Sequence, residues 1–183
     1  MILRLPFLDD RHYLHGTTLL EAVLEHAGNP HNFSFKIKKT ILSNRIELSQ
    51  EDTEYAATLF FPGQKIFIKE VAPLLPIERE RFNETSLART VKKDGSLFVM
   101  PCGTPSSLRS MVLAFKHILL AHYALPSRPG RWVFVGLDAD HFLLSEFHQI
   151  FFEKILCHSG MACCTVGFDA KSAATLYFAW ADI

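Results

Sequence analysis

Hydrophobic and polar positions alternate along several short segments of the chain, and this pattern predicts β-strands. Phe33, Phe35 and Ile37 alternate with Ser34 and Lys36, as in a strand with one buried and one solvated face. Strands are also expected at residues 2–8 and 45–49, and then at 55–61 and 65–71, the last of which alternates as regularly as residues 33–38. A Pro-Gly pair between the last two segments predicts a tight turn.

A helical period replaces the alternation at residues 16–27, where apolar positions recur on one face. Thr17 or Thr18 is expected to cap this helix, and Glu21 has the spacing to complete a capping box with Thr18. Gly28 follows the last periodic residue and is expected to end the helix. The polar residues 9–15 before it predict a turn.

The second half of the chain has a similar order of elements. A strand at 96–101 and a helix capped by Ser106 and ending near Tyr123 are expected first. Further strands are predicted at residues 131–137, 148–156, 161–168 and 174–180. The stretch from Leu143 to Leu156 also fits an amphipathic helix, so the type of this element stays open.

Residues 73–95 separate the two halves and carry a dense pattern of charges. Such a composition is typical of a solvated helix or a connecting segment. We therefore expect a first unit at 1–72, a charged connecting segment at 73–95 and a second unit at 96–183. The alternative is that both units pack as one domain, since the repeat lies in the order of elements rather than in shared residues.

Composition excludes several classes of protein. The chain has 183 residues, nineteen basic and nineteen acidic, and 49% hydrophobic residues. This content suffices for a packed core, and the balanced charge gives no reason to expect nucleic acid or an anionic membrane as a partner. The most apolar run, Leu108–Leu125, contains charged residues and is expected to be a buried helix rather than a membrane span.

The four cysteines predict neither a disulfide framework nor a zinc site. Cys163 and Cys164 are adjacent, and Cys102 and Cys157 have no partner at metal-ligand spacing. We expect reduced thiols, no metal and no cofactor. The first ten residues lack the features of a secretory signal, so we expect a cytoplasmic protein.

The second half resembles the hotdog fold, and within it the 3-hydroxyacyl-carrier-protein dehydratase branch. Members of this family have a strand with a pattern similar to F-x-G-[IL]-D-x-x-x-F. Residues 134–138 (FVGLD) and Phe142 match it, and the predicted strands follow in the family's order. The resemblance implies an α+β fold in which an antiparallel sheet wraps around an apolar helix. Two abbreviated hotdog units in tandem are one form that this fold can take here.

The first half resembles the same family at its helix. The dehydratase helix follows a Pro-Gly turn and continues L-x-x-E-A, and residues 15–22 (HGTTLLEA) are similar. The resemblance implies that Glu21 is the catalytic acid. The family's histidine lies in an H-F-P-G-H-P stretch that this chain lacks, and His12 and His15 are the histidines it offers before the helix.

Dehydration of a 3-hydroxyacyl thioester needs a base for the proton next to the carbonyl and an acid for the leaving hydroxyl. His15 or His12 could act as the base and Glu21 as the acid. The amides of Gly16 and Thr17, at the start of the helix, could bind the thioester oxygen. The alternative for Glu21 is a purely structural role in the capping box.

Two other functions remain open at this point. Asp9 and Asp10 could serve a thioesterase, since acidic residues near this helix do so in other hotdog proteins. A protein that binds an acyl chain or a partner without turnover is the third possibility. Lys36 and Lys38, with Lys39, form a basic face that is either simply solvated or docks an acidic carrier protein or a pantetheine phosphate.

The expected partner is therefore an acyl carrier protein or a coenzyme A thioester. A single hotdog unit needs a second copy, whereas a fused pair can stand alone. We accordingly expect either a homodimer or a pseudo-dimeric monomer.

Overall fold

The computed structural model describes residues 1–52, 54–81, 91–94, 97–101, 107–140, 149–169 and 171–181. It divides the chain into two compact units, Met1–Phe82 and Asn83–Ile183. This division falls within the predicted connecting segment 73–95, and the bounds of that segment stay a prediction.

The first unit contains one helix and seven strands among its described residues. They are β1 (Ile2–Arg4), β2 (Phe7–Leu8), α1 (Gly16–His26), β3 (Phe33–Ile37), β4 (Arg45–Ser49), β5 (Ala57–Phe61), β6 (Gln64–Glu70) and β7 (Arg79–Glu80). Five of the strands form an antiparallel sheet in the order β1-β4-β6-β5-β3. The predicted helix and strands are confirmed, except that the segment 2–8 forms two strands with Pro6 between them.

The core of the first unit comes from the apolar face of α1 and one face of the sheet. Leu19, Leu20, Val23 and Leu24 of the helix are buried. The buried sheet residues are Phe33, Phe35, Ile46, Leu48, Ala57, Leu59 and Ile68. The alternation along β3 and β5 thus places one side of each strand in the core.

The N-terminus of helix α1 differs from the prediction. The N-cap residue is His15, and no side chain caps the helix there. The predicted cap at Thr17 or Thr18 and its capping box with Glu21 are therefore wrong, because both threonines lie inside the first turn and are buried.

The C-terminus of α1 follows the prediction. The amide of Gly28, at φ 75°, donates to the carbonyl of Glu25, and the amide of Asn29 donates to that of Leu24. This pair of bonds is a Schellman motif, which favours glycine because its first residue beyond the cap is left-handed. Gly28 thus ends the helix as expected.

The residues after β6 are held against the first unit by buried and charged side chains. The fully buried Asn44 donates from Nδ2 to the carbonyl of Leu74 at 2.9 Å and accepts from the amide of Leu74 at 3.0 Å. The guanidinium of Arg4 donates to the carbonyl of Pro76 at 2.7 Å. The first part of the charged segment therefore belongs structurally to the first unit.

The second unit contains one helix and six strands among its described residues. They are β8 (Lys92–Asp94), β9 (Leu97–Pro101), α2 (Ser107–His122), β10 (Arg131–Ala139), β11 (Gln149–His158), β12 (Met161–Phe168) and β13 (Lys171–Ala181). The strands form an antiparallel sheet in the order β10-β13-β12-β11-β9-β8. The predicted strands are confirmed, and 149–158 is a strand rather than a helix; Cys102, Ser106 and Phe142 lie outside the described residues.

Helix α2 supplies the centre of the second core. Its Phe115 is fully buried, with its ring 6.2 Å from that of Phe152 and 5.3 Å from that of Phe178. These two rings belong to β11 and β13, so one face of the sheet packs on the helix. Neither helix in the described part of the chain has the length and apolarity to cross a membrane.

Residues 134–138 of the motif that carries the family resemblance lie on β10. The pairing with β13 shifts between Phe134 and Gly136, and Asp138 lies just beyond this bulge. The hydroxyl of Tyr177 donates to Oδ2 of Asp138 at 2.7 Å. Oδ1 of Asp138 is buried and has no hydrogen-bond partner among the described residues.

The environment of Tyr177 predicts a late alkaline transition. Burial, followed by the hydrogen bond to Asp138, raises the pKa of Tyr177 to about 12 from 10.0. Because the folded state disfavours the phenolate, the stability that Tyr177 contributes is complete below its ordinary pKa and is lost as pH rises from 10 towards 12. We expect the ultraviolet tyrosinate titration of the folded protein to end with a step that Tyr177→Phe removes; identical titrations of both proteins would contradict this.

Candidate active site at the first helix

The N-terminus of α1 is an uncapped helix end with available donors. The first hydrogen bond of the helix joins the amide of Leu19 to the carbonyl of His15 at 3.0 Å. The amides of Gly16, Thr17 and Thr18 precede it and have no acceptor within the helix. The first turn contains no acidic residue. This end therefore presents a partial positive charge suited to an oxygen of a ligand.

His15 is held at this end by Thr17. Nδ1 of the half-buried His15 lies 2.8 Å from Oγ1 of Thr17, which is fully buried. In the tautomer that has its proton on Nδ1, His15 donates to Thr17 and Nε2 is left as the basic nitrogen. The arrangement can thus orient the ring and set its tautomer, as a general base requires.

Glu21 lies further along the same helix and is half-buried. Six positions separate it from His15, which corresponds to about 9 Å along the helix axis. Gly16 is half-buried at the first helical position, so one helix carries four of the predicted site residues: His15, Gly16, Thr17 and Glu21.

His12 lies in the turn before the helix and is exposed. The far end of this turn is fixed by the amide of Leu14, which donates to the carbonyl of Ile41 at 2.8 Å. Of the two candidate histidines, His15 is the one that the described contacts hold in the helix terminus.

Arg79 fixes the near end of the same turn. Its Nη1 donates to the carbonyls of Asp9, at 2.6 Å, and Arg11, at 3.0 Å. The short parallel pairing of β2 with β7 adds a bond from the amide of Asp9 to the carbonyl of Glu80 at 2.9 Å. The role of Arg79 is not predictable from the sequence, because a contact across seventy positions leaves no local pattern.

Removing the Arg79 side chain is expected to loosen this turn. In Arg79→Ala, amide hydrogen exchange in residues 9–12 should rise, since two carbonyls lose their donor. Arg81→Ala, at an exposed neighbouring position, is the matched control and should leave the exchange unchanged. Equal exchange in both variants would show that the turn does not depend on Arg79.

The predicted lysines lie elsewhere. Lys36 and Lys38 are exposed and alternate with the buried Phe35 of β3, so they lie on the face of the sheet opposite the core. Nζ of Lys38 lies 4.7 Å from the centre of the Tyr55 ring. The structure does not bring these lysines together with His15 and Glu21, and their docking role stays a prediction.

In the described ranges, no group of three or more His, Cys, Asp or Glu side chains is placed to hold a metal ion. Cys157, Cys163 and Cys164 are free thiols.

Comparison with solved structures identifies the fold. A dehydratase-cyclase domain from ambruticin biosynthesis superposes with a TM-score of 0.51 at 14% identity, covering 93% of this chain and 83% of that domain. The chain has the hotdog fold. Two hotdog units follow one another, each with one helix and an antiparallel sheet. The α+β fold implied by the sequence resemblance is thereby confirmed.

Two further structures are similar at lower scores. One is the dehydratase domain of the CurF module of the curacin polyketide synthase, with a TM-score of 0.45 at 11% identity, covering 93% of this chain and 83% of that one. The other is described as a thioesterase II from Thermobifida fusca YX, with a TM-score of 0.48 at 16% identity and coverages of 98% and 91%. No family model and no curated protein sequence matches the chain.

Proposed function

We propose that the protein acts on acyl thioesters and that the N-terminus of α1 is its active site, with the chemistry of a 3-hydroxyacyl dehydratase. The observation that carries this proposal is the placement of His15 at an uncapped helix end, bonded to Thr17, with Glu21 on the same helix. The hotdog fold adds support, because the sequence resemblance places the family's catalytic acid at Glu21.

His15 begins the reaction as the base. With its proton on Nδ1 donated to Thr17, Nε2 removes a proton from C2 of the 3-hydroxyacyl thioester. The electron pair of the broken C–H bond moves onto the thioester carbonyl and gives an enolate. The bond to Thr17 keeps the ring in position while it becomes positively charged.

The helix terminus stabilises the enolate oxygen. The amides of Gly16 and Thr17 are the donors, and the helix dipole adds to their effect. These donors are fixed by the backbone before the substrate arrives, so little reorganisation is needed when the negative charge develops.

Glu21 completes the reaction as the acid. Its carboxyl group gives a proton to the 3-hydroxyl as the C3–O bond breaks, and a C2–C3 double bond forms while water leaves. His15 is then protonated and Glu21 ionised, and a proton returned from His15 to Glu21 through solvent restores the starting state.

The acyl group of the substrate is proposed to be carried by an acyl carrier protein or by coenzyme A. The protein is proposed to be located in the cytoplasm. No organic or metal cofactor is needed for this reaction, because His15 and Glu21 account for both proton transfers. The protein is proposed to act as a pseudo-dimeric monomer or as a homodimer.

Mass spectrometry of the products tests the proposal. The purified protein is incubated with saturated acyl and 3-hydroxyacyl pantetheine thioesters, and the proposal predicts loss of water from the 3-hydroxyacyl compound alone. Release of free acid would identify a thioesterase and redirect attention to Asp9 and Asp10. Binding without turnover would identify an acyl-binding protein, and no binding to any thioester would end the acyl-thioester proposal.

A further inference from the structure

The side-chain hydroxyl of Thr18 is buried and forms no hydrogen bond with the described residues. The residue is 6% exposed, and its Oγ1 has no hydrogen-bond partner among the described residues. A threonine inside a helix can return its hydroxyl to the carbonyl four positions back, which here is that of Leu14, but Thr18 does not. A buried hydroxyl without a partner carries a desolvation cost that a ligand or a water can remove.

The position of Thr18 places its side chain near the start of the helix. Thr18 is the third residue of α1, and side chains of an α-helix tilt toward its N-terminus. The Thr18 side chain therefore leans over the first turn, where the amides of Gly16 and Thr17 also lack helical acceptors. The hydroxyl of the neighbouring Thr17 is hydrogen-bonded to His15. In this turn it is the Thr18 hydroxyl that has no hydrogen-bond partner among the described residues.

We propose that the Thr18 hydroxyl binds the thioester carbonyl oxygen of the substrate, as a side-chain donor beside the amides of Gly16 and Thr17. This inference rests on the function proposed above and adds a substrate-binding residue to it. The bound carbonyl satisfies the hydroxyl that the free protein leaves without a partner. The bond strengthens when the oxygen becomes an enolate, because a charged acceptor forms a shorter and stronger hydrogen bond.

Thr18→Val and Thr18→Ser test the inference together. Valine keeps the shape of threonine without its hydroxyl, and serine keeps the hydroxyl. We expect Thr18→Val to lower kcat/KM for the 3-hydroxyacyl pantetheine thioester about tenfold and to weaken binding of an unreactive acyl-pantetheine thioester. The melting temperature of Thr18→Val should be equal to or above that of the wild type, because the substitution removes a buried hydroxyl that has no hydrogen-bond partner among the described residues. Thr18→Ser should retain most of the activity.

Thr58→Val on β5 is the matched control, because it removes a threonine hydroxyl of the same unit from a half-buried strand position. Unchanged turnover and binding in Thr18→Val would overturn the inference. Equal losses of activity in Thr18→Val and Thr18→Ser, together with a lower melting temperature, would also overturn it by showing a packing role. A wild-type protein that neither binds nor converts thioesters would instead refute the proposed function, and the inference with it.

Discussion

Replacing Glu21 with glutamine should lower the rate of 3-hydroxyacyl thioester dehydration by about 10²–10⁴-fold, the range typical of a lost general acid. Glutamine has nearly the shape of glutamate but cannot give up a proton to the leaving hydroxyl. The loss should appear in kcat, because the proton is transferred as the C3–O bond breaks. Steady-state kinetics on a 3-hydroxyacyl pantetheine thioester measures it.

Glu25→Gln is the matched control for this variant. Glu25 lies one turn further along α1 and is exposed, so the two variants change the same helix by the same chemistry. We expect Glu25→Gln to have wild-type kinetics. A Glu21→Gln protein with an unchanged melting temperature and unchanged kcat would remove Glu21 from the mechanism.

Replacing Phe115 with alanine should cost about 3–5 kcal/mol of the free energy of unfolding of the second unit, as large-to-small changes at buried aromatic positions do. The Phe115 side chain is fully enclosed and contacts the rings of Phe152 and Phe178. Its removal leaves a cavity between α2 and the sheet, which the surrounding strands can close only in part.

Urea denaturation followed by tryptophan fluorescence measures this loss. The chain has two tryptophans, Trp132 on β10 and Trp180 on β13, so the signal reports on the second unit. Leu120→Ala is the matched control, because Leu120 lies on the same helix and is 45% exposed. A Phe115→Ala protein no less stable than Leu120→Ala would mean that the helix does not form the centre of this core.

Local patterns in the sequence predict most of the secondary structure. The alternation at β3 and the turn residues after α1 identify their elements, because burial on one face and the left-handed conformation of Gly28 each leave a mark at short range. The ambiguous stretch before Cys157 is a strand because it pairs with β9 and β12. Such pairing partners are distant in sequence, so a local pattern does not identify them.

The candidate site is predicted in part. The helical period of residues 16–27 predicts α1, and the family resemblance points to Glu21. His15 is predicted only as one of two histidines before the helix, because the chain lacks the family's histidine motif. The capping preference of threonine suggests a helix start that the structure does not adopt, because Thr17 and Thr18 are buried against the core. The role of Arg79 and the partnerless hydroxyl of Thr18 depend on tertiary contacts, so neither is visible in the sequence.

A crystal structure of Glu21→Gln with a bound 3-hydroxyacyl pantetheine thioester tests the central claim most directly. We predict the thioester carbonyl oxygen within hydrogen-bond distance of the amides of Gly16 and Thr17, with C2 of the acyl group facing Nε2 of His15. A thioester bound away from the N-terminus of α1 would contradict the assignment of the active site to this helix.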